Sequence, residues 1–270
     1  MNYKLLPLVA LLLACACSKD RDGRFAVQVK LSLPSPSTKV VLGPEEAGTF
    51  PLVWQEGDRV SLNGVLSSPM SAGLSGKSHA AFSFAGFSGS APYRLLYPGS
   101  ASGEVTLNGK NLPLYAGGNS LDQVFAMHHL CCGVRLRLTG DLPLESLTLS
   151  APGDEPVAGT FTPSFADGSL SEVLAQASVS VVFDTPVLLS GTPQDFYLFF
   201  APGTFSQGLS LQAKNAEGSI TREWRFALGR TLERGKLYLL PETAFTSMDW
   251  ADDCQVQLEE MSEDTISFEL

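Results

Sequence analysis

Phe25-Ala-Val-Gln-Val-Lys-Leu-Ser-Leu33 decides the fold: Phe25, Val27, Val29, Leu31 and Leu33 alternate with smaller or polar residues, the period of two that lines one face of a β-strand. Pro34-Ser-Pro-Ser37 stops the strand, because proline brings no N–H to a ladder. Outward from this segment, short strands are predicted around 39–42, 59–62, 80–85 and 93–97. Others follow near 130–138, 144–150, 179–189, 196–201, 208–213, 222–228 and 236–240, with Gly, Pro and Ser clusters between them. Residues 169–177 are read as a short helix or a loop. Helical periodicity is absent over any window longer than about a dozen residues, so the predicted class is all-β.

Toward the N-terminus, Lys4 precedes an apolar run from Leu5 to Leu13, followed by Ala14-Cys15-Ala16-Cys17-Ser18-Lys19-Asp20. The run is shorter than the ~20 residues a membrane helix needs and ends in small residues and cysteine. It reads as a lipoprotein signal that is removed. Cys17, with Ala14 and Ala16 before it, is the preferred lipidation site; Cys15, with Leu12 three residues upstream, is the alternative. Two or more acyl chains on that cysteine give stable anchoring.

The chain has 270 residues and a formal charge of −10. After Lys236 there is no Lys or Arg, so the acidity is concentrated in the tail. Without basic clusters it lacks the footprint for phosphate backbones, and nucleic acid is not an expected partner. The expected organisation is a signal peptide at 1–16, a lipidated spacer at 17–23, a β-sandwich at 24–115, a second at 116–245, and an acidic tail at 246–270 with a terminal strand. The boundary is placed where alternation gives way to turn residues between Lys110 and Asp122. In the strand near 130–138, alternation sets Cys132 with Val134, Leu136 and Leu138 on the core face, and Cys131 with Arg135 and Arg137 on the outer face. Cys131 could there meet Cys254, though three thiols leave one over.

Catalytic signatures fail. His79, His128 and His129 form no metal-binding motif, and adjacent residues of a strand point apart, so His128-His129 and Cys131-Cys132 cannot easily grip one ion. Gly76-Lys77-Ser78 lacks the upstream glycine of a phosphate loop and reads as a turn. Asp58, Asp154 and Asp195 give no assignable acid–base pair. Neither an enzyme, a metal nor a cofactor is expected.

Several stretches carry a resemblance: Trp54-Gln-Glu-Gly-Asp-Arg-Val-Ser-Leu-Asn-Gly64, Pro92-Tyr-Arg-Leu-Leu-Tyr-Pro98, Phe125-Ala-Met-His-His-Leu-Cys-Cys-Gly-Val-Arg-Leu-Arg-Leu138, Val157-Ala-Gly-Thr-Phe161, Phe196-Tyr-Leu-Phe-Phe-Ala-Pro-Gly-Thr204 and Leu232-Glu-Arg-Gly-Lys-Leu-Tyr-Leu239. In this order they resemble the fimbrillin-like lipoproteins of Bacteroidales, over about residues 17–245. The resemblance implies two transthyretin-like β-sandwich domains in tandem, an outer-membrane lipid anchor on the cell surface, and assembly with other fimbrial subunits into a pilus. In polymerising members a protease removes the first strand, and a strand from a neighbouring subunit fills the groove. Here Phe25, Val27, Val29, Leu31 and Leu33 would mark the exchangeable strand, and Ile266, Phe268 and Leu270 the donor. The chain departs from arginine-specific processing, since Arg24 precedes the strand and the next arginine is Arg59; Lys39, just past the strand, is the candidate cleavage site.

The expected function is therefore an anchor, accessory or structural component of a surface pilus or adhesion system. The alternative is a lipid-anchored module that binds a host protein or glycan, with Trp54, Trp224 and Trp250 as platforms if exposed.

Overall fold

The computed structural model describes residues 18–19, 25–32, 41–42, 52–217, 221–226, 228–246, 256–257 and 266–267. The chain is all-β, as the alternation predicts, and among the described residues the 3₁₀ turn Ala72–Leu74 is the one helical element. The sheets face one another in sandwich-like pairs around two sets of buried side chains.

The first set is covered by two sheets. One contains Ser18–Lys19, Phe25–Ser32, His79–Ala85 and Val124–Ala126. The other runs in the order His128–His129, Leu114–Gly118, Tyr93–Tyr97, Ser61–Leu62, Val65–Leu66. Between them lie Val29, Leu31, Phe82, Phe84 and Phe125 from the first sheet and Leu62, Leu95 and Leu114 from the second, around Trp54. The Trp54 ring meets Phe82 and Tyr97 edge-on, at centroid separations of 4.9 and 5.4 Å.

The turn that follows Trp54 explains the quoted Trp-Gln-Glu-Gly-Asp stretch. Gly57 takes a φ of +86°, a conformation that favours glycine. Asp58 Oδ2 accepts the Gln55 N–H at 2.7 Å, and Oδ1 accepts the Tyr97 hydroxyl at 2.9 Å. Asp58 is thus a structural cap, and burial, with the Asp58 charge second, pushes the Tyr97 phenol well up. Gly76 donates its N–H to Trp54 O at 2.8 Å, so Gly76-Lys77-Ser78 is the expected turn.

The second set of buried residues lies between the sheet Gln194–Phe200, Cys132–Gly140, Lys236–Leu239, Ile266–Ser267 and the sheet Ser178–Leu188, Pro143–Ser150, Ser210–Asn215, Thr221–Arg225, Val256–Gln257. It gathers Val134, Leu136, Leu138, Leu147, Leu149, Leu198, Phe200 and Trp224, among others. A three-stranded sheet, Leu170–Gln176, Ala158–Pro163, Val105–Leu107, joins the two halves of the chain.

Three expectations are corrected, and one conditional reading is closed. Residues 169–177 are neither helix nor loop: Leu170–Gln176 pairs antiparallel with Ala158–Pro163. Val173 and Leu174 are exposed there, so the segment lacks the alternation of a half-buried strand and its pairing overrides local preference. The turn-rich stretch after Lys110 contains Leu114–Gly118, a strand paired on both edges. Its glycines permit close approach, since a Cβ on Gly117 would lie 3.1 Å from Phe165 O and one on Gly118 2.7 Å from the Phe125 ring. Cys131 does not face solvent: Cys131 packs in the first core and Cys132 in the second, and both are buried free thiols. Trp54 and Trp224 are fully buried core residues, so the platform role that depended on their exposure does not apply to them.

The face shared by Cys131, Arg135 and Arg137 does carry charge. Arg137 grips Asp195 through two hydrogen bonds of 2.7 Å. This grip, together with the Arg135 charge, holds the Asp195 carboxyl below its usual range. A depressed carboxylate pKa adds stability above the unfolded value of about 3.9 that is lost as pH falls through the folded value. Asp195→Asn is expected to cost about 1 kcal/mol at pH 7, a small figure because Arg137 is 35% exposed, with the difference from wild type closing below about pH 4. Trp54→Ala is expected to cost about 3–5 kcal/mol. Chemical denaturation at pH 7 and pH 3 checks both.

Candidate functional site

The sequence pattern of Phe25–Ser32 asks for a half-buried strand; the structure gives it neighbours on both edges. On one edge it runs antiparallel to His79–Ala85, from Ala26 opposite Ala85 to Ser32 opposite His79. On the other it runs parallel to Val124–Ala126, with Leu31 opposite Phe125, while Ser18–Lys19 folds back against Phe25 and Ala26. Met127 closes the junction by donating its N–H to Ser32 O at 2.9 Å. Val29 and Leu31 are fully buried, Val27 is half-buried, and Gln28 and Lys30 are exposed. Fully burying a side chain such as Leu31 contributes roughly 1.5–3 kcal/mol.

Such a strand fills a slot one strand wide. Without it, His79–Ala85 and Val124–Ala126 would each present an unpaired edge, and Phe82, Phe84 and Phe125 would lose their cover. A cut at Arg59 would also remove Trp54, the largest side chain of that core, whereas a cut at Lys39 would spare it.

At the other end of the chain, Ile266–Ser267 pairs antiparallel with Lys236 and Leu237, at the edge of its sheet. The inner neighbour of Lys236–Leu239 is Cys132–Gly140, in parallel. Val256–Gln257 lies parallel to Trp224 and Arg225. Of the other sequence-predicted site residues, Cys15, Cys17, Leu33, Lys39, Trp250, Cys254, Phe268 and Leu270 lie outside the described residues, and for Phe25 and Ile266 the backbone alone is described.

His128 and His129 pair with Tyr115 and Leu114 in a strand ladder. Burial, then the charges of His128 and Arg234, push His129 down to about 4. Asp154 occupies a turn with φ +61°. Among the described residues no three His, Cys, Asp or Glu side chains are grouped to hold a metal ion, and no helix is long and apolar enough to cross a membrane. No local pattern points to the cleft around Arg94 and Phe165, because its lining residues are up to 104 positions apart, from Ser61 to Phe165, and mix polar with apolar side chains.

No family model matches the sequence, and no curated protein does. Solved structures with a similar course include a candidate cell adhesion protein of Bacteroides uniformis, at 12% identity and a TM-score of 0.46, covering 85% of this chain and 95% of that one. A candidate cell adhesion protein of Bacteroides ovatus gives 13% and 0.49, covering 83% and 93%. The tip fimbrial protein Mfa3 of Porphyromonas gingivalis, with C-terminal truncation, gives 9% and 0.36, covering 79% and 96%.

Because Leu31 sits opposite both Ala80 and Phe125, Leu31→Ala is expected to cost about 2–5 kcal/mol. Amide hydrogen exchange should accelerate in His79–Ala85 and Val124–Ala126 before it does in Cys132–Gly140.

Proposed function

We propose that the chain is a surface-anchored lipoprotein of the fimbrillin-like kind, and that it serves as a structural, anchor or accessory component of a pilus or adhesion assembly through β-strand complementation. The observation that carries this reading is the placement of Phe25–Ser32 between His79–Ala85 and Val124–Ala126. An N-terminal strand held on both edges leaves a ready acceptor slot when it departs, and an extended segment of another subunit can refill the slot with main-chain hydrogen bonds and alternating side chains. The quoted sequence motifs and the lipoprotein-like N-terminus point the same way.

In this reading two sandwich domains follow the lipidated Cys17. The terminal segment around Ile266, Phe268 and Leu270 is the donor. Among the described residues Ile266–Ser267 pairs with one strand, at the edge of its sheet, so it leaves more easily than an inner strand would. The membrane is met through the lipid, the other partners are fimbrial subunits, and the protein works at the outer surface without catalysis.

Intact-mass and N-terminal analysis of the protein recovered from its native membrane, with protease shaving of whole cells, tests the proposal. The expected form begins at a lipidated Cys17, is cut by protease added outside, and co-purifies with other subunits in high-mass assemblies. A form shortened to begin near Val40 within such polymers has lost Cys17, and would instead make the chain a strand-exchanging pilus subunit and overturn the anchored reading. An unlipidated monomer shielded from external protease contradicts the proposal.

A further inference from the structure

Arg94 stands exposed on the strand Tyr93–Tyr97, its guanidinium carbon 5.6 Å from the centroid of the Phe165 ring. The stacked pair belongs to the walls of two adjoining clefts of about 480 and 580 Å³, which share Pro92, Arg94, Pro163 and Phe165. Hydroxyls and amides supply much of the remaining wall: Asn63, Ser102 and Thr162 on one side, Tyr93, Asn119 and Ser164 on the other. No Asp or Glu lines either cleft, although Ser102 Oγ donates to Glu104 at 3.1 Å and Ser164 hydrogen-bonds Asp167. Arg94 is the one charged side chain of the lining, and its local field favours an anion.

The walls are fixed before any ligand arrives. Asn63 Nδ2 donates to Ser90 O and Pro92 O at 3.3 Å, while its Oδ1 accepts the Arg94 N–H at 2.7 Å. Ser61 Oγ accepts the Ser100 N–H at 3.1 Å. At Gly64, with φ +82°, a Cβ would come within 2.9 Å of Ala101 O, so glycine lets two wall loops touch. The cation–π contact with Phe165 restrains the Arg94 head group, and restraint lowers the entropy lost on binding.

We propose that this two-lobed cleft binds an acidic carbohydrate, with a sugar carboxylate on Arg94 and neighbouring hydroxyls on the Ser, Thr and Asn side chains. Arginine's planar fork matches a carboxylate through two parallel hydrogen bonds. The proline rings and Phe165 offer apolar surface to the C–H faces of a sugar, and two lobes on either side of one cation suit adjacent residues of an oligosaccharide. The walls alternate apolar surface with hydroxyl and amide groups around a single cation, a mixture that matches the C–H faces, hydroxyls and carboxylate of an acidic sugar. The site needs neither lipid nor strand exchange, so it stands or falls independently of the assembly role.

The test is calorimetric and NMR titration of the mature full-length chain with digalacturonic acid and with 3′-sialyllactose, alongside lactose and an acidic peptide. Arg94→Gln and Arg94→Lys are measured in parallel. Saturable binding of an acidic sugar is expected, weakened by salt, lost at least about tenfold in Arg94→Gln and partly kept in Arg94→Lys. Thermal stability of the variants should match wild type because Arg94 is exposed. Failure of both acidic sugars to bind, equal binding of lactose, preference for the acidic peptide, or full affinity in Arg94→Gln would each overturn the proposal.

Discussion

A strand with neighbours on both edges is held by two ladders and one buried face, and the first half of this molecule is arranged around such a strand. Phe25–Ser32 meets His79–Ala85 on one side and Val124–Ala126 on the other, so segments far apart in sequence are fixed relative to one another through it. The closure entropy of those long loops must be met by burial, and Val29, Leu31, Phe82, Phe84 and Phe125 provide it. If Cys17 carries the lipid, this strand begins eight positions later, within roughly 26–29 Å of the membrane even when fully extended. Anchor and keystone are then neighbours along the chain.

The link between the two halves rests on the period of a strand. Consecutive side chains face opposite ways, so Cys131 enters the first core and Cys132 the second. The strand Gln194–Phe200 does the same: Phe196, Leu198 and Phe200 turn to the second core, and Phe199 to the first. Close contact at this junction needs Gly133, where a Cβ would lie 2.8 Å from the Phe199 ring. The halves are thus packed through shared strands as well as joined by chain.

What the sequence made legible follows physical rules that act locally. Alternation found Phe25–Ser32, His79–Ala85 and Pro143–Ser150, each with one apolar face. It failed at Leu170–Gln176, whose Glu172, Val173 and Leu174 are all exposed, and at Leu114–Gly118, where two glycines imitate a turn but serve close packing. It also misplaced Cys131, because "outer face" assumes solvent beyond the sheet and a second core lies there instead. Trp54 and Trp224 are large aromatics that belong in a core unless something exposes them, and the contacts that bury Trp54, with Phe82 and Tyr97, are ones no local pattern announces. The Arg94 cleft was invisible for a related reason: Asn63, Arg94 and Phe165 converge through three separate connections.

If Phe25–Ser32 occupies a separable slot on which the first core depends, removing it should be reversible by an added strand. Amide hydrogen exchange on a chain lacking residues up to 33, with and without a synthetic peptide of residues 25–33, measures this. His79–Ala85 and Val124–Ala126 are expected to lose protection in the shortened chain and to regain it when the peptide is added. Native protection at both strands with the slot left empty would show that the first core does not depend on the strand.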